Sequence, residues 1–332
     1  MQFPARSKKK MQDVITKRTN ASPIHKHVPY HLINQPLSEV PTPALLIDMD
    51  ILEYNMRKMN ELMEPFSKQV KVRPHFKANK CSELVKLQSK IHQELMSGVC
   101  CQKLSEAESI YKGENGAVPF ATNDILITNE VVERVKLERI VDSVYANANR
   151  LKISLVVDNE SVVRRLAAIC KDKASLLNVS DNIPKIHLII EYNVGQNRCG
   201  VNSIEELVHL ANVISNDEAV KSYVHFAGIQ CYQGWNQHVR AFEDRKQAVE
   251  KVNNMAREAK QALQDHNLIP DDFIVTGGGT GSFLFEAQSN VFTEVQPGSY
   301  VFMDADYNRN LTQNGKTMEE EPESTFRQSL FV

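Results

Sequence analysis

The sequence predicts an α/β fold, a (β/α)8 TIM-type barrel followed by a second, incomplete β domain, and three observations carry that prediction. Short apolar, β-branched runs bounded by turn residues recur at 44–48, 70–73, 94–100, 124–128, 153–158, 186–193, 224–231 and 273–276. Segments with apolar residues three and four apart alternate with them, at 49–63, 82–91, 105–111, 131–145, 160–171, 204–214 and 240–266. Strand and helix alternating over 44–276 suits a parallel barrel of roughly 250 residues. No GxGxxG follows the first run, which argues against an open doubly wound sheet.

Four segments follow in order. Residues 1–22 set Arg6, Lys8, Lys9, Lys10, Lys17 and Arg18 against Asp13 with no apolar stretch behind them, so they read as a basic disordered tail, with a mitochondrial transit peptide as the alternative. Residues 23–43 hold Pro23, Pro29, Pro36, Pro41 and Pro43, which oppose long helix and predict an extended arm joining the β domain. The barrel is expected over 44–290. Residues 291–332, with an alternating stretch at 291–304 and a strand-like piece at 326–332, form the partial C-terminal β domain; the acidic run Glu319–Glu323 is expected at a solvated hairpin tip.

Composition narrows the function. At 332 residues and 42% hydrophobic the chain can bury a large core, while a net charge of -2 provides no basic field for nucleic acid. No apolar run approaches the length needed to cross a membrane. The six cysteines (Cys81, Cys100, Cys101, Cys170, Cys199, Cys231) show no CxxC pair, so reduced thiols are expected rather than disulfides or zinc ligands, which favours the cytoplasm. Cys199 and Cys231 read as small buried hydrophobes.

In a barrel the chemistry lies where strands end at the C-terminal face. The second run ends in Lys71-Val72-Arg73-Pro74-His75-Phe76-Lys77-Ala78-Asn79-Lys80, which delivers a lysine beside other cations. Such crowding lowers an ammonium pKa and frees the amine to attack a carbonyl. The ordinary alternative is a pair of solvated loop lysines. After the last run, Gly277-Gly278-Gly279-Thr280-Gly281-Ser282 lets backbone N–H groups approach an anion, and barrels often bind phosphate at this place. A lysine nucleophile with a phosphate cradle suggests pyridoxal phosphate.

The segment Arg73–Lys80 also resembles the RPHxKxxK sequence around the cofactor lysine in the fold-type III enzymes of the D-threonine aldolase, D-3-hydroxyaspartate aldolase and D-serine dehydratase-like family, whose barrel is of the alanine racemase N-terminal type. The likeness continues through Thr42–Ala44, Leu104–Glu108, Val194–Val201, Gly228–Gly234, Gly277–Gly281 and Gln296–Tyr307, and so covers the chain from about residue 40 onward. It implies Lys77 as the residue that carries pyridoxal phosphate as an imine, with Gly279, Thr280, Gly298 and Ser299 at the phosphate, Tyr232 beside the cofactor and Arg198 near its ring. His238, six residues past Tyr232, is the candidate for the substrate side; a solvent-facing helix start is its alternative. Trp235 fits a lid or a surface anchor equally.

The implied activity is a lyase cleaving D-β-hydroxy amino acids to glycine and an aldehyde, in a homodimer. The alternatives are a D-serine dehydratase-type ammonia-lyase and a non-catalytic cofactor-binding protein; a racemase would need a second base that no residue supplies. The family's divalent metal (manganese, magnesium or zinc) is held by a His-x-Asp or His-x-Cys pair, and no histidine follows His266. Metal ligands are therefore assigned to none of the residues, a truncated chain is suspected, and the 332 residues are expected to bind pyridoxal phosphate with little aldolase activity and no stimulation by these metals.

Overall fold

The computed structural model describes residues 35–111, 122–148, 150–179 and 182–331, so the basic tail and most of the arm fall outside the described residues. Residues 47–330 make one compact unit. Within it run eight parallel strands: β1 (Lys71–Val72), β2 (Val99–Cys101), β3 (Asp124–Ile127), β4 (Lys152–Val157), β5 (Ile186–Glu191), β6 (Val224–Cys231), β7 (Ile274–Gly277) and β8 (Glu294–Val295). They are hydrogen bonded in the order β1-β8-β7-β6-β5-β4-β3-β2. Parallel bridges from Val72 to Met96 and from His75 to Cys100 bring the two ends of that order together and close the barrel.

Eight strands are present, but they are not the eight expected. The run at 44–48 contributes only Leu46–Ile47, which belongs to a separate two-stranded sheet. The last barrel strand is Glu294–Val295, expected from the sequence in the β segment that follows the barrel. Two residues are too few to show a period, and the flanking Pro297 and Gly298 read as a turn. Gly277–Ser282 therefore follows the seventh strand of the barrel.

The helices are α1 (Met49–Met63), α2 (Ser82–His92), α3 (Leu104–Tyr111), α4 (Arg134–Ala146), α5 (Glu160–Leu176), α6 (Ile204–Asn216), α7 (Phe242–Asp265) and the short α8 (Phe283–Ala287). Local chemistry starts several of them. The Asp48 carboxylate accepts the Ile51 N–H at 3.0 Å ahead of α1, Asn159 accepts the Ser161 N–H at 2.9 Å ahead of α5, and Ser203 accepts the Glu206 N–H at 3.2 Å at α6. Helix α1 precedes β1 and packs against α2, α8 and the turn at 299–301. It supplies from the N-terminal side the outer helix that a (β/α)8 chain would place after β8.

Side chains alternate across the strands. Cys100, Leu126, Val156, Ile189 and Ala227 fill the interior, while Ile125, Ile127, Leu155, Val157 and Leu188 pack outward on the helices. A second apolar cluster joins Leu52, Met56 and Met59 of α1 to Val72, Val295 and Tyr300, which ties the α1 face to β1, β8 and the segment after it.

Asn55 fastens that segment. Its fully buried amide donates to the carbonyls of Val301 (3.1 Å) and Arg327 (2.6 Å) and accepts the Arg327 N–H at 2.8 Å. Asn55→Ala would leave those backbone groups unpaired, so urea unfolding should show a loss of about 2–3 kcal/mol, against less than about 0.5 kcal/mol for Glu53→Ala, whose half-exposed side chain makes only a surface pair with Arg57.

His92 carries a pH-dependent part of the stability. Its ring contacts Asn60 Oδ1 and the Tyr300 hydroxyl, each at 2.6 Å, and burial pushes its pKa down to about 4. Between pH 6.5 and 4 the unfolded chain holds a proton that the folded chain lacks, so stability is full above pH 6.5 and declines by about 3 kcal/mol as the pH falls to 4. Subtracting the stability profile of His92→Gln from that of the wild type should isolate this loss.

Candidate active site

The C-terminal ends of the strands surround a recess lined by His75, Lys77, Thr128, Arg198, Gln230 and Tyr232, among others. Lys77 reaches it because Pro74 ends β1 and residues Phe76–Ala78 turn in a short 3-10 helix, with Phe76 buried as the anchor. The turn is locked by His75. Its Nδ1 accepts the Lys77 N–H at 3.3 Å, its Nε2 lies 3.2 Å from the Thr128 hydroxyl, and that hydroxyl donates to the Cys101 carbonyl at 3.2 Å. This set of partners assigns the neutral imidazole with the proton on Nε2. Burial holds the His75 pKa well below its usual value, and the charge of Lys77 lowers it further.

Lys77 Nζ stands 5.9 Å from the centre of the Tyr232 ring. The side chain is accessible through the open mouth, while the walls of the recess crowd its ammonium. That crowding lowers its pKa first, the guanidinium of Arg198 second; Cys100 and Glu106 act weakly the other way. Arg198 itself extends from the loop after β5 and remains exposed. Tyr232, at the end of β6, is half-buried, and burial raises its hydroxyl pKa.

The two proposed phosphate segments lie side by side. Thr280 Oγ1 accepts the Tyr300 N–H at 3.2 Å, which sets Gly298 and Ser299 next to the glycine run. Gly298 also abuts the lysine turn: a Cβ there would come within 3.1 Å of His75 Cβ and 3.3 Å of Ala78 Cβ. Among the described residues, the N–H groups of Thr280, Gly298 and Ser299 donate no hydrogen bond. The Gly279 and Gly281 N–H groups are engaged, with Ser282 Oγ at 3.3 Å and Gln237 Oε1 at 2.9 Å respectively.

Beneath the recess runs a buried polar chain. Gln230 donates to the Glu191 carboxyl and, at 3.2 Å, to the Thr128 carbonyl; Gln296 donates to Gln230 Oε1 and Thr276 Oγ1, both at 2.9 Å. Thr276 donates to Glu294 at 2.9 Å, and Glu294 pairs with Arg73 at 2.8 Å. Burial pushes the Glu191 carboxyl up to about 8, opposed by the Gln230 hydrogen bond.

His238 stands apart. It is exposed at the rim, does not line the recess, and its Nδ1 meets Asp306 Oδ2 at 2.5 Å; Arg240 holds the other carboxylate oxygen. Its ring lies 5.6 Å from Tyr307. Trp235 is 71% exposed and packs on nothing that would make it a closed lid. Cys231 is fully buried as expected, whereas Cys199 is only half-buried, so it is not the buried hydrophobe expected of it. Thr128, Gln230 and Gln296 carry no role in the sequence reading, although each stands at or just past a strand's C-terminal end, where the barrel rule places chemistry.

Residues 47–306 match the family described as alanine racemase, N-terminal domain. The chain belongs to that family. It is 35% identical over 295 residues to the 3-hydroxy-D-aspartate aldolase of Paracoccus denitrificans (strain Pd 1222), spanning 89% of this chain and 68% of the relative. It is 34% identical over 300 residues to a D-threonine aldolase of Arthrobacter sp., spanning 90% of this chain and 68% of the relative. The crystal structure of a D-threonine aldolase from Filomicrobium marinum superposes with a TM-score of 0.73 at 34% identity, covering 89% of this chain and 70% of that one.

Pyridoxal phosphate is the cofactor of this alanine racemase-type barrel, and the residues present fit it. A depressed lysine amine faces an aromatic ring, and three unengaged backbone donors border a glycine-edged cradle beside the lysine turn. Arg198→Gln removes the second cause of the Lys77 depression, so the pH midpoint for acylation of Lys77, followed by peptide mass spectrometry, should move upward, with Lys80 unchanged as the internal control.

Proposed function

We propose that this protein is a pyridoxal phosphate-dependent carbon–carbon lyase that cleaves D-β-hydroxy amino acids into glycine and an aldehyde. The observation that carries the reading is the depressed Lys77 amine beside a bend whose Gly298 and Ser299 N–H groups are unengaged, in a chain 34–35% identical to enzymes named D-threonine aldolase and 3-hydroxy-D-aspartate aldolase. Lys77 would hold the cofactor aldehyde, Thr280, Gly298 and Ser299 its phosphate through backbone N–H groups, and Tyr232 its face; Gly279 leaves room for Gln237, which packs against the glycine run. Bound there, the cofactor supplies an electron sink for the pair left on Cα when Cα–Cβ breaks.

The chain's own residues handle charge and protons. Burial first and the Arg198 cation second lower the Lys77 pKa, which favours the free amine that imine formation requires. Cleavage also removes the β-hydroxyl proton as the C–O bond becomes a carbonyl. His238, paired with Asp306 through Nδ1, stands at the rim outside the recess lining, so that proton is assigned to no side chain here. The divalent metal implied by the family resemblance is given no ligands at this mouth.

With pyridoxal phosphate present, the purified protein should be yellow, and borohydride should fix a pyridoxyl group on the Lys77 peptide. D-Threonine or D-3-hydroxyaspartate should yield glycine plus aldehyde, Lys77→Ala should lose both the colour and the cleavage, and added manganese or magnesium should change little. Ammonia plus ketoacid as products would turn the assignment to a dehydratase, and labelling at Lys80 would overturn the site.

A further inference from the structure

At the other end of the barrel is a cluster that the reaction does not use. His187 is the second residue of β5 and His225 the second residue of β6, and the two are register partners on adjacent parallel strands. Each shares its strand face with an interior residue, Ile189 and Ala227, so both rings lie toward the closed end of the lumen. Their ring centres are 4.9 Å apart at an edge-to-face angle of 70°. Asp272, just ahead of β7, brings a carboxylate oxygen to 2.8 Å from His225 Nε2.

We propose that His187, His225 and Asp272 form a binding site for a borderline divalent cation of the Zn2+ type. One ligand atom from each lies within 4.8 Å of the others, and among the described residues no other group of histidine, cysteine and carboxylate side chains meets that spacing. Zinc with nitrogen and oxygen ligands near 2.0–2.2 Å needs those atoms roughly 3.3–3.5 Å apart, so the imidazole nitrogens close up from a spacing within 4.8 Å and the exposed Asp272 oxygen draws back from 2.8 Å. Two imidazoles with one carboxylate select zinc or its neighbours over calcium or magnesium, and a water completes the tetrahedron.

The simpler reading is a surface His225–Asp272 ion pair with His187 packed beside it. That reading leaves His187 Nδ1 buried with no hydrogen-bond partner among the described residues. The nearby positive charge of Lys152 is partly taken up by Asp124 at 3.3 Å.

Six residues of β6 separate His225 from Cys231 beside the catalytic mouth, about 20 Å at a strand's rise. A cation at this end would clamp β5, β6 and the turn before β7 without reaching the substrate. The site is thus independent of the proposed lyase chemistry.

The test is calorimetric titration of Zn2+ into the full chain after chelator treatment, with Co2+ spectra to report geometry. One ion per chain with a tetrahedral cobalt spectrum is expected. The double variant His187→Gln/His225→Gln should bind at least about ten-fold more weakly, Asp272→Asn should also weaken binding, and the exposed His266→Gln should not. Zn2+ should raise the unfolding temperature of the wild type more than that of Asp272→Asn. If the double variant does not fold, Asp272→Asn decides the matter, since its side chain is half exposed. Absence of saturable binding, or binding undiminished in Asp272→Asn, would overturn the proposal whether or not the protein proves to be a lyase.

Discussion

The site depends on the insertion of a two-residue strand. Glu294 and Val295 pair on one side with Lys71 and Val72 and on the other with Thr276 and Gly277. Because each of those neighbours ends in a functional loop, this register fixes three things together: the lysine turn at 75–78, the glycine run at 277–282 and the Gly298–Ser299 bend. The His75 N–H continues the pairing onto the Pro297 carbonyl at 3.1 Å, and the Gln296 N–H onto Gly277 at 2.9 Å. A slip of one residue would turn Glu294 out of the interior and separate both halves of the cradle from Lys77.

What holds so short a strand is charge as well as backbone. Glu294 is nearly fully buried, and it accepts from Ser97 at 2.6 Å and Thr276 while pairing with Arg73. Arg73 bridges onward to Asp124 at 2.6 Å, so one guanidinium serves two carboxylates. Burial by itself would lower the Arg73 pKa; the two carboxylates outweigh it and raise it. Buried ions of this kind add little net stability, because desolvation offsets most of the attraction, but removing one partner strands the other. Their effect is to select one register. Gly98 completes the arrangement: its φ is +147°, and a Cβ there would stand 2.4 Å from Arg73 Nη1. The Arg73 of the lysine motif is therefore the clasp of the barrel, a role that the sequence does not announce.

The sequence made the long periodic elements legible. The apolar stripe at 49–63 coincides with α1 residue for residue, and those at 82–91, 160–171 and 204–214 fall inside helices extended by one to five residues. Elements defined by tertiary pairing were not legible. Leu46–Ile47 is as apolar as a barrel strand, and only its partner decides that it lies outside; Glu294–Val295 lies inside because two flanking edges leave a place for it. The same division runs through the site. Lys77, Arg198 and Tyr232 could be found because cation clusters and motif likeness point to them, whereas Gln230, Gln296 and Thr128 act through contacts between residues 66 to 102 positions apart. His187 and His225 are separated by a whole helix in sequence and become neighbours only through strand register.

The glycine run shows that a correct location can rest on an incomplete reason. Successive glycines suggest that the backbone must stay bare for an anion. In the structure the bareness is required mainly by protein: a Cβ on Gly279 would meet Gln237 Oε1 at 2.6 Å, and one on Gly281 would meet the Gln237 carbonyl at 2.5 Å. Gln237 Nε2 also donates to Ser282 Oγ at 2.7 Å, which donates in turn to Glu286 at 2.9 Å, a buried carboxyl raised to about 7. The run is thus clamped from the α7 side by Gln237 and from within by Glu286, and two of its N–H groups are consumed in the clamp. The donors left over, on Thr280 and across the gap on Gly298 and Ser299, come from two chain segments held at fixed spacing. An anion bound there would be gripped by groups already rigid before it arrives, which reduces the ordering cost of binding.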